Sequence, residues 1–270
     1  MKFSFEIGGK SCTINSAKGI DISIPLDFYG EQPGAYGVEK AFAVPYQSDK
    51  FVGDTRQGGS CNFEKYSFIP HCNGTHTECV GHISFERIFV NGILRDSIIP
   101  CTLITVEPVL AANTNEKYIP AVNPDDFFIS RAAIEKAVLD SDKNFFQGLI
   151  IRTKPNDVSK KSRDYMKMPP PFFSTDAIKF ILSLGVNHLL VDFPSIDRAF
   201  DEGKLTNHHL FWNVPEGSHE VNASDVSQKT ITEMIYVDNE IKDGCYLLGL
   251  QIASFKADAS PSRPVLYEIK

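Results

Sequence analysis

Residues 71–82 of this 270-residue chain hold an unusual concentration of metal-ligand side chains. The segment reads HCNGTHTECVGH and contains three histidines, two cysteines and one glutamate. Imidazole and carboxylate groups are good ligands for zinc or manganese, and zinc with three protein ligands and a water is the usual catalytic arrangement. The segment therefore predicts a metal site.

The spacing inside this segment can bring His76, Glu78 and His82 together. On an extended backbone these even-numbered residues project from one face, and in a helix Glu78 and His82 align at positions i and i+4. Gly74 and Gly81 permit the tight turns that let a backbone approach an ion closely. Both backbone conformations predict convergence of the three side chains.

Two other interpretations of the segment stay open. Cys72, His76, Cys79 and His82 form the pattern C-x3-H-x2-C-x2-H, which could enclose a structural zinc ion. The spacing matches no common zinc finger, and a chain of this length folds without a metal. The histidines could also be ordinary polar loop residues, although their grouping at ligand spacing argues against it.

Composition restricts the kind of partner. The chain is 42% hydrophobic and 23% charged, as expected of a globular protein with a substantial core, and its formal net charge is −7. An acidic protein is a poor partner for nucleic acid or an anionic membrane, so we expect a small-molecule substrate. No apolar run approaches the ~20 residues of a membrane span, and the N-terminus lacks the apolar core of a signal peptide. We expect a cytoplasmic protein with reduced cysteines.

The elements that must position the site alternate between strands and helices. Alternation of apolar and polar residues predicts a strand over 19–26 that Pro25 ends, and apolar runs predict strands at 85–90, 103–107, 148–153, 186–192, 246–252 and 264–269. Capping residues predict helices beginning at Asn123 and after Ser174. This pattern indicates a layered α/β or α+β fold, and the absence of a linker indicates a single domain over residues 1–270.

The long segment 27–67 shows no clear periodicity and predicts a functional or interface region. Its aromatic residues are candidates to line a substrate pocket; they are Tyr29, Tyr36, Phe42 and Tyr46. The chain contains no H-E-x-x-H, G-x-S-x-G, P-loop or dinucleotide-binding glycine motif, so serine-hydrolase and dinucleotide chemistry have no support.

Taken together, these residues resemble the metal-dependent cyclase family that includes bacterial kynurenine formamidase and isatin hydrolase. The family signature is H-x-G-T-H-x-D-x-P-x-H, and residues 74–82 are similar to it. Three further segments resemble the family's D-[IL]-S-x-P strand, its G-I-D-x-P-S-[IV]-D segment and its S-P-x-R stretch, in the family's order; they are 20–25, 190–197 and 260–265. The resemblance spans residues 20 to about 268.

The resemblance implies a swivelling β/β/α fold, a homodimer or homotetramer, and one or two Zn²⁺ ions, with Mn²⁺ as an alternative. A metal-bound hydroxide would attack the carbonyl of a small formamide or lactam. His208 and Glu233 would complete the ligands that the signature supplies, with His209 replacing His208 if the alignment shifts by one residue. His82 would be the proton shuttle.

The chain also departs from the family pattern. Glu78 replaces an aspartate, and the first histidine is displaced: Cys72 lies four residues before His76, and His71 lies five before it. Either residue could be a ligand, because a thiolate binds zinc well. The interval from His208 to Glu233 implies an inserted loop. A non-catalytic binding protein on the same fold remains an alternative, should these departures have removed the metal.

Overall fold

A nine-stranded sheet forms the centre of the computed structural model, which describes residues 1–270. The chain contains eighteen strands, which in order are β1 (Lys2–Ile7), β2 (Lys10–Asn15), β3 (Ile20–Asp21), β4 (Phe42–Pro45), β5 (Gln47–Ser48), β6 (Phe51–Val52), β7 (Glu64–Ser67), β8 (His76–Glu78), β9 (Ile98–Val106), β10 (Val109–Leu110), β11 (Phe127–Ile129), β12 (Gly148–Thr153), β13 (Phe172–Phe173), β14 (His188–Val191), β15 (Thr230–Glu233), β16 (Gly244–Gly249), β17 (Ala259–Pro261) and β18 (Val265–Glu268). The α-helices are α1 (Pro70–Asn73), α2 (Val90–Ile93), α3 (Arg131–Ala137), α4 (Thr175–Ser183) and α5 (Thr206–Trp212).

The strand order in the large sheet is β17-β8-β15-β14-β12-β9-β16-β18-β3. Strands β9, β12, β14 and β15 are parallel to one another, and the outer strands are antiparallel to their neighbours. All six residues of β12 are buried, as are all four of β14. Such continuous burial is typical of parallel strands that are covered on both faces.

Separate apolar clusters cover the two faces of this sheet. The larger cluster joins the sheet to the helices α3, α4 and α5 and includes Ile178, Leu189 and Trp212. The smaller one includes Leu103, Ile150 and Leu248. The layered α/β class predicted from the sequence is therefore observed.

Three local predictions were wrong. The strand predicted at 19–26 is limited to β3, Ile20–Asp21, and residues 24–26 lie in no strand. The predicted helix at Asn123 is a turn followed by β11, and α3 begins only at Arg131. The reason is that β11 pairs with β13, after which the Ser130 side chain accepts a hydrogen bond from the backbone N–H of Ala133 and caps α3. The predicted strand at 85–90 consists of bends that lead into α2.

The prediction for α4 was confirmed. Helix α4 begins after Ser174, which caps the N–H of Ala177, and Gly185 follows the helix in the left-handed conformation with φ of 83°. The segment 27–67 is more structured than expected, because it contains the β4–β7 and β5–β6 antiparallel pairs. No helix in the structure combines the length and the apolar character that a membrane crossing needs.

Strand β8 is the link between the sheet and the ligand-rich segment. It pairs with β15 on one side and β17 on the other, so that His76 lies opposite Glu233 and Ala259 lies opposite Glu78. Residues separated by more than 150 positions are thereby fixed at hydrogen-bonding distance between strands.

The buried core predicts a strong difference between two leucines. Leu189 in β14 is 0% exposed and Leu139, just after α3, is 79% exposed. We expect Leu189→Ala to lower the free energy of unfolding by about 2–5 kcal/mol, because it leaves a cavity in the core. Leu139→Ala should change it by less than about 0.5 kcal/mol. Urea unfolding followed by circular dichroism measures both, and equal effects would contradict this packing.

Candidate metal centre

The local backbone explains how the ligand-rich segment folds on itself. Pro70 occupies the first turn of α1, which carries His71, and β8 then extends so that His76 and Glu78 share one face. A single turn of 3-10 helix over Val80–His82 brings His82 back towards Glu78. The segment therefore combines the extended and the turned conformations that its spacing allowed.

Glu78 is the centre of the cluster and is completely buried. Its Oε2 atom lies 3.0 Å from His71 Nδ1 and 3.9 Å from His82 Nδ1, and its Oε1 atom lies 3.0 Å from His208 Nε2. Beside it, His76 Nε2 lies 3.4 Å from Glu233 Oε2. The structure thus brings together six of the residues that the sequence singled out.

Three overlapping groups of these side chains are compact enough to hold an ion, with ligand atoms within 4.8 Å of one another. They are His71, His76 and Glu78; Glu78, His82 and His208; and His71, His82 and Asp258.

In three histidines, the ring nitrogen that points away from Glu78 and Glu233, here called the outer nitrogen, is hydrogen-bonded to another group. His76 Nδ1 lies 3.0 Å from the carbonyl oxygen of Gly74, and His208 Nδ1 lies 2.5 Å from Asp197 Oδ2. His71 Nε2 lies 2.9 Å from Asp258 Oδ2. Because carbonyl and ionised carboxylate oxygens only accept hydrogen bonds, each of these nitrogens carries the proton and donates it.

With the outer nitrogens protonated, the lone pairs of the inner imidazole nitrogens face the lone pairs of carboxylate oxygens. In a neutral imidazole whose outer nitrogen is protonated, the inner nitrogen is an acceptor, and it points here at a carboxylate oxygen that also accepts. The buried atoms His76 Nε2 and Glu78 Oε2 accordingly have no hydrogen-bond partner despite their close neighbours. Such contacts need a proton or a cation between the atoms, and this donor set of nitrogen and oxygen atoms fits zinc or manganese.

The charges of the cluster compensate one another without a metal only when the histidines are protonated. Burial favours a raised pKa for Glu78, but His82, His208 and His71 hold its pKa well below the usual range. Burial likewise opposes charge on His71, yet its hydrogen bonds to Asp258 and Glu78 raise its pKa to about 10. Burial and the charge of Glu78 raise the pKa of Glu233. A divalent cation would replace these protons.

Two carboxylates of the cluster were missed by the ligand prediction. Asp258 contacts His71 and lies 3.5 Å from His82 Nδ1; it precedes β17, which pairs with β8. Asp197 accepts hydrogen bonds from the backbone N–H groups of Asn207 and His208 as well as from the His208 ring. Asp197 ends a segment of family resemblance, which was a usable signal, whereas only the strand pairing reveals Asp258.

The cysteines lie outside the three groups. The Cys72 side chain is buried beside the cluster, where burial and the charge of Glu233 raise the pKa of its thiol to about 11 and so disfavour the thiolate. The Cys79 sulfur lies 3.7 Å from the carbonyl oxygen of Ile88. The C-x3-H-x2-C-x2-H set therefore does not converge on one point, and His71 rather than Cys72 faces Glu78.

The sequence left open whether His208 or His209, both in α5, reaches the cluster. His208 faces Glu78, whereas the ring of neighbouring His209 lies 6.3 Å from that of His219, and its buried Nδ1 atom has no hydrogen-bond partner. Successive helical residues point in different directions, so only one of the two histidines can reach the cluster.

A cavity of about 320 Å³ opens onto the cluster, and its wall includes His71, His82, His208 and Tyr36. Tyr36 has a φ of 56°, a left-handed conformation that costs a non-glycine residue about 1–2 kcal/mol. The other aromatic candidates do not reach this wall; Tyr29, Phe42 and Tyr46 are exposed on the β4–β7 region of the chain.

Comparison with known proteins relates the chain to a family. The Cyclase family model matches residues 20–198 of the chain. Kynurenine formamidase of Bacillus anthracis is 24% identical over 263 residues, which are 95% of this chain and 100% of that enzyme. Kynurenine formamidase of Bacillus cytotoxicus is 29% identical over 119 residues, which are 44% of this chain and 48% of that enzyme.

Solved structures confirm the fold. An isatin hydrolase bound to the product analogue thioisatinate superposes with a TM-score of 0.60 at 12% identity, over 94% of this chain and 93% of that chain. A predicted metal-dependent hydrolase from Bacillus stearothermophilus gives a TM-score of 0.55 at 18% identity, over 93% of this chain and 98% of that chain. The swivelling β/β/α fold expected from the resemblance is thus confirmed, and with two thirds of its length matched by the family model the chain belongs to the Cyclase family.

Proposed function

We propose that the chain is a metal-dependent hydrolase that cleaves a small amide, either a formamide or a lactam. The observation that carries the proposal is the arrangement around Glu78, where inner imidazole nitrogens and carboxylate oxygens face one another while the outer nitrogens of three rings are committed. A metal bound there would lower the pKa of its water towards ~7 and polarise the substrate carbonyl.

The ligands would come from the ligand-rich segment 71–82 and from two residues more than a hundred positions later. His71, His76 and Glu78 would hold one Zn²⁺ ion, and His208 and Glu233 would extend the site to a second; Mn²⁺ is the alternative metal. Metal-binding histidines commonly donate their other N–H to a carboxylate or a carbonyl, which fixes the ring and increases its basicity. Asp258, Asp197 and the Gly74 carbonyl would serve in that way.

His82 would move the proton. Its side chain is 27% exposed and lines the cavity, and its Nδ1 atom lies at 3.5 and 3.9 Å from Asp258 and Glu78, so the ring is less constrained than those of the buried histidines. It would accept a proton from the attacking water and return it to the leaving nitrogen. Asp258 would orient the imidazole during both steps.

The cavity limits the substrate to a small molecule. Its volume of about 320 Å³ lies at the lower end of the range of small-ligand pockets and suits a single- or double-ring amide. Tyr36 could place its phenol against the body of such a substrate. Assembly as a homodimer or homotetramer, a single domain and a cytoplasmic location stay predictions.

The first prediction concerns metal dependence. We expect the protein purified without chelator to retain at least about one equivalent of zinc or manganese, and to hydrolyse a member of a panel containing N-formylkynurenine, simple N-formyl arylamines and isatin. Removal of the metal should abolish hydrolysis, and its return should restore it. Less than about 0.2 equivalents of metal would reject the enzyme. Tightly bound metal with no hydrolysis would favour the alternative of a non-catalytic binding protein.

The second prediction separates the two histidines of α5. His208→Asn should weaken zinc binding at least about 100-fold, because it removes a nitrogen that faces Glu78. His209→Asn is the matched control on the same helix and should leave affinity and stoichiometry unchanged. Isothermal titration calorimetry of metal-free protein measures both. If His209→Asn weakened zinc binding and His208→Asn did not, His209 rather than His208 would face Glu78.

The third prediction tests the proton shuttle. His82→Gln should lower kcat about 10²–10⁴-fold with little change in KM, because general acid–base catalysis is lost while binding of the substrate is retained. Metal content measured by mass spectrometry should stay at the wild-type value. Loss of metal together with activity would instead make His82 a ligand, in the group that it forms with Glu78 and His208.

A further inference from the structure

A second cavity, of about 300 Å³, lies away from the candidate metal centre at the carboxyl ends of β12 and β14. Thr153 ends β12 and Asp192 follows β14, and both line the cavity. The carboxyl ends of neighbouring parallel strands are a common place for ligands in open α/β sheets. The two cavities are similar in volume.

The floor of this second cavity is a buried ion pair that satisfies itself. Lys160 Nζ lies 2.7 Å from Asp192 Oδ2 and also donates to the carbonyl and hydroxyl oxygens of Thr153. Asp192 in turn accepts hydrogen bonds from the N–H and hydroxyl groups of Thr153. These charges cancel, so the floor by itself requires no ligand.

The remaining cations of the wall have no such partner. Lys154 and Arg163 both line the cavity, and neither has a carboxylate oxygen within 4.0 Å. Arg163 Nη2 donates to Ser159 Oγ at 2.8 Å, but its Nε atom is buried without an acceptor. Glu107 is the one wall anion besides Asp192.

The rest of the wall is apolar and partly open to solvent. Phe127 is 48% exposed and Met168 is 58% exposed, and Pro169 and Pro171 lie beside them. The Arg163 guanidinium carbon lies 5.7 Å from the centre of the Tyr165 ring. An apolar surface next to two unpaired cations suits a ligand with a flat or apolar body and one negative charge.

We propose that this cavity binds a small carboxylate that carries an aromatic or apolar body. The carboxylate pairs with the Lys154 ammonium and the Arg163 guanidinium, and the body packs against Phe127 and Met168. The site does not depend on the metal.

The position of this cavity links it to the candidate active site. The carbonyl oxygen of Arg163 accepts a hydrogen bond from Gly34 N–H, and Tyr165 N–H donates to the carbonyl of Gly34. Gly34 is two residues from Tyr36, which lines the cavity at the metal centre. Two residues of the second cavity's wall are therefore hydrogen-bonded to the segment that carries Tyr36.

Calorimetric titration with benzoate tests the proposal, with benzamide as the uncharged analogue and acetate as the analogue without a ring. Benzoate should bind metal-loaded and chelator-treated protein alike, and at least about tenfold more tightly than either analogue. Arg163→Gln should weaken benzoate binding at least about tenfold, and Lys154→Gln should weaken it in the same direction. Lys167→Gln, on the same loop and paired with Asp164 at 3.3 Å, is the matched control and should have no effect.

Benzoate binding that requires the metal and is unchanged in Arg163→Gln would locate the anion at the metal centre and overturn the proposal. Absence of benzoate binding, or equal affinity for benzamide, would overturn it as well. The melting temperature of Arg163→Gln shows whether the fold is intact; if the variant unfolds, Lys154→Gln decides. None of these results tests the proposed hydrolase activity, which is measured separately.

Discussion

Compensation of the buried charge of Glu78 is the requirement that organises the candidate metal centre and the elements around it. A completely buried carboxylate lies within about 3 Å of two imidazole nitrogens whose partner nitrogens already donate to other oxygens. Burial of such a group is costly unless its charge is compensated. A metal ion compensates it, and protonated histidines do so in its absence. This requirement explains why Glu78 is held from three directions rather than by a single neighbour.

The fold meets this constraint by placing β8 between β15 and β17 and by anchoring α5 through Asp197. The fully buried parallel strands next to β15 provide a rigid support, while the cluster itself lies where β8, β15, α1 and α5 meet. Loops border it on the side of the cavity. The same loops carry Tyr36 and His82 to the wall of the cavity. Rigid strands thus position the ligands, and the loops form the space for a substrate.

Sequence patterns predicted the parts of this architecture that depend on local interactions. The apolar runs of β12 and β14 and the cap of α4 were visible in the sequence, and so was the shared face of His76 and Glu78. The start of α3 was not, because pairing of β11 with β13 outweighs the capping signal at Asn123. The choice of His71 over Cys72 depends on one turn of helix, and Asp258 reaches the cluster only because β17 pairs with β8. Long-range pairing leaves no periodic signal in the sequence.

X-ray absorption spectroscopy at the zinc edge of the metal-loaded protein identifies the atoms that bind the metal. The geometry around Glu78 predicts a first shell of nitrogen and oxygen atoms at about 2.0–2.2 Å, with outer-shell scattering from imidazole rings. Ligation by Cys72 or Cys79 would instead produce a sulfur shell at about 2.3 Å. The expected result is a shell without sulfur whose imidazole contribution decreases in His71→Ala and in His76→Ala. A sulfur shell, or a zinc spectrum that neither substitution changes, would contradict the proposed ligands around Glu78.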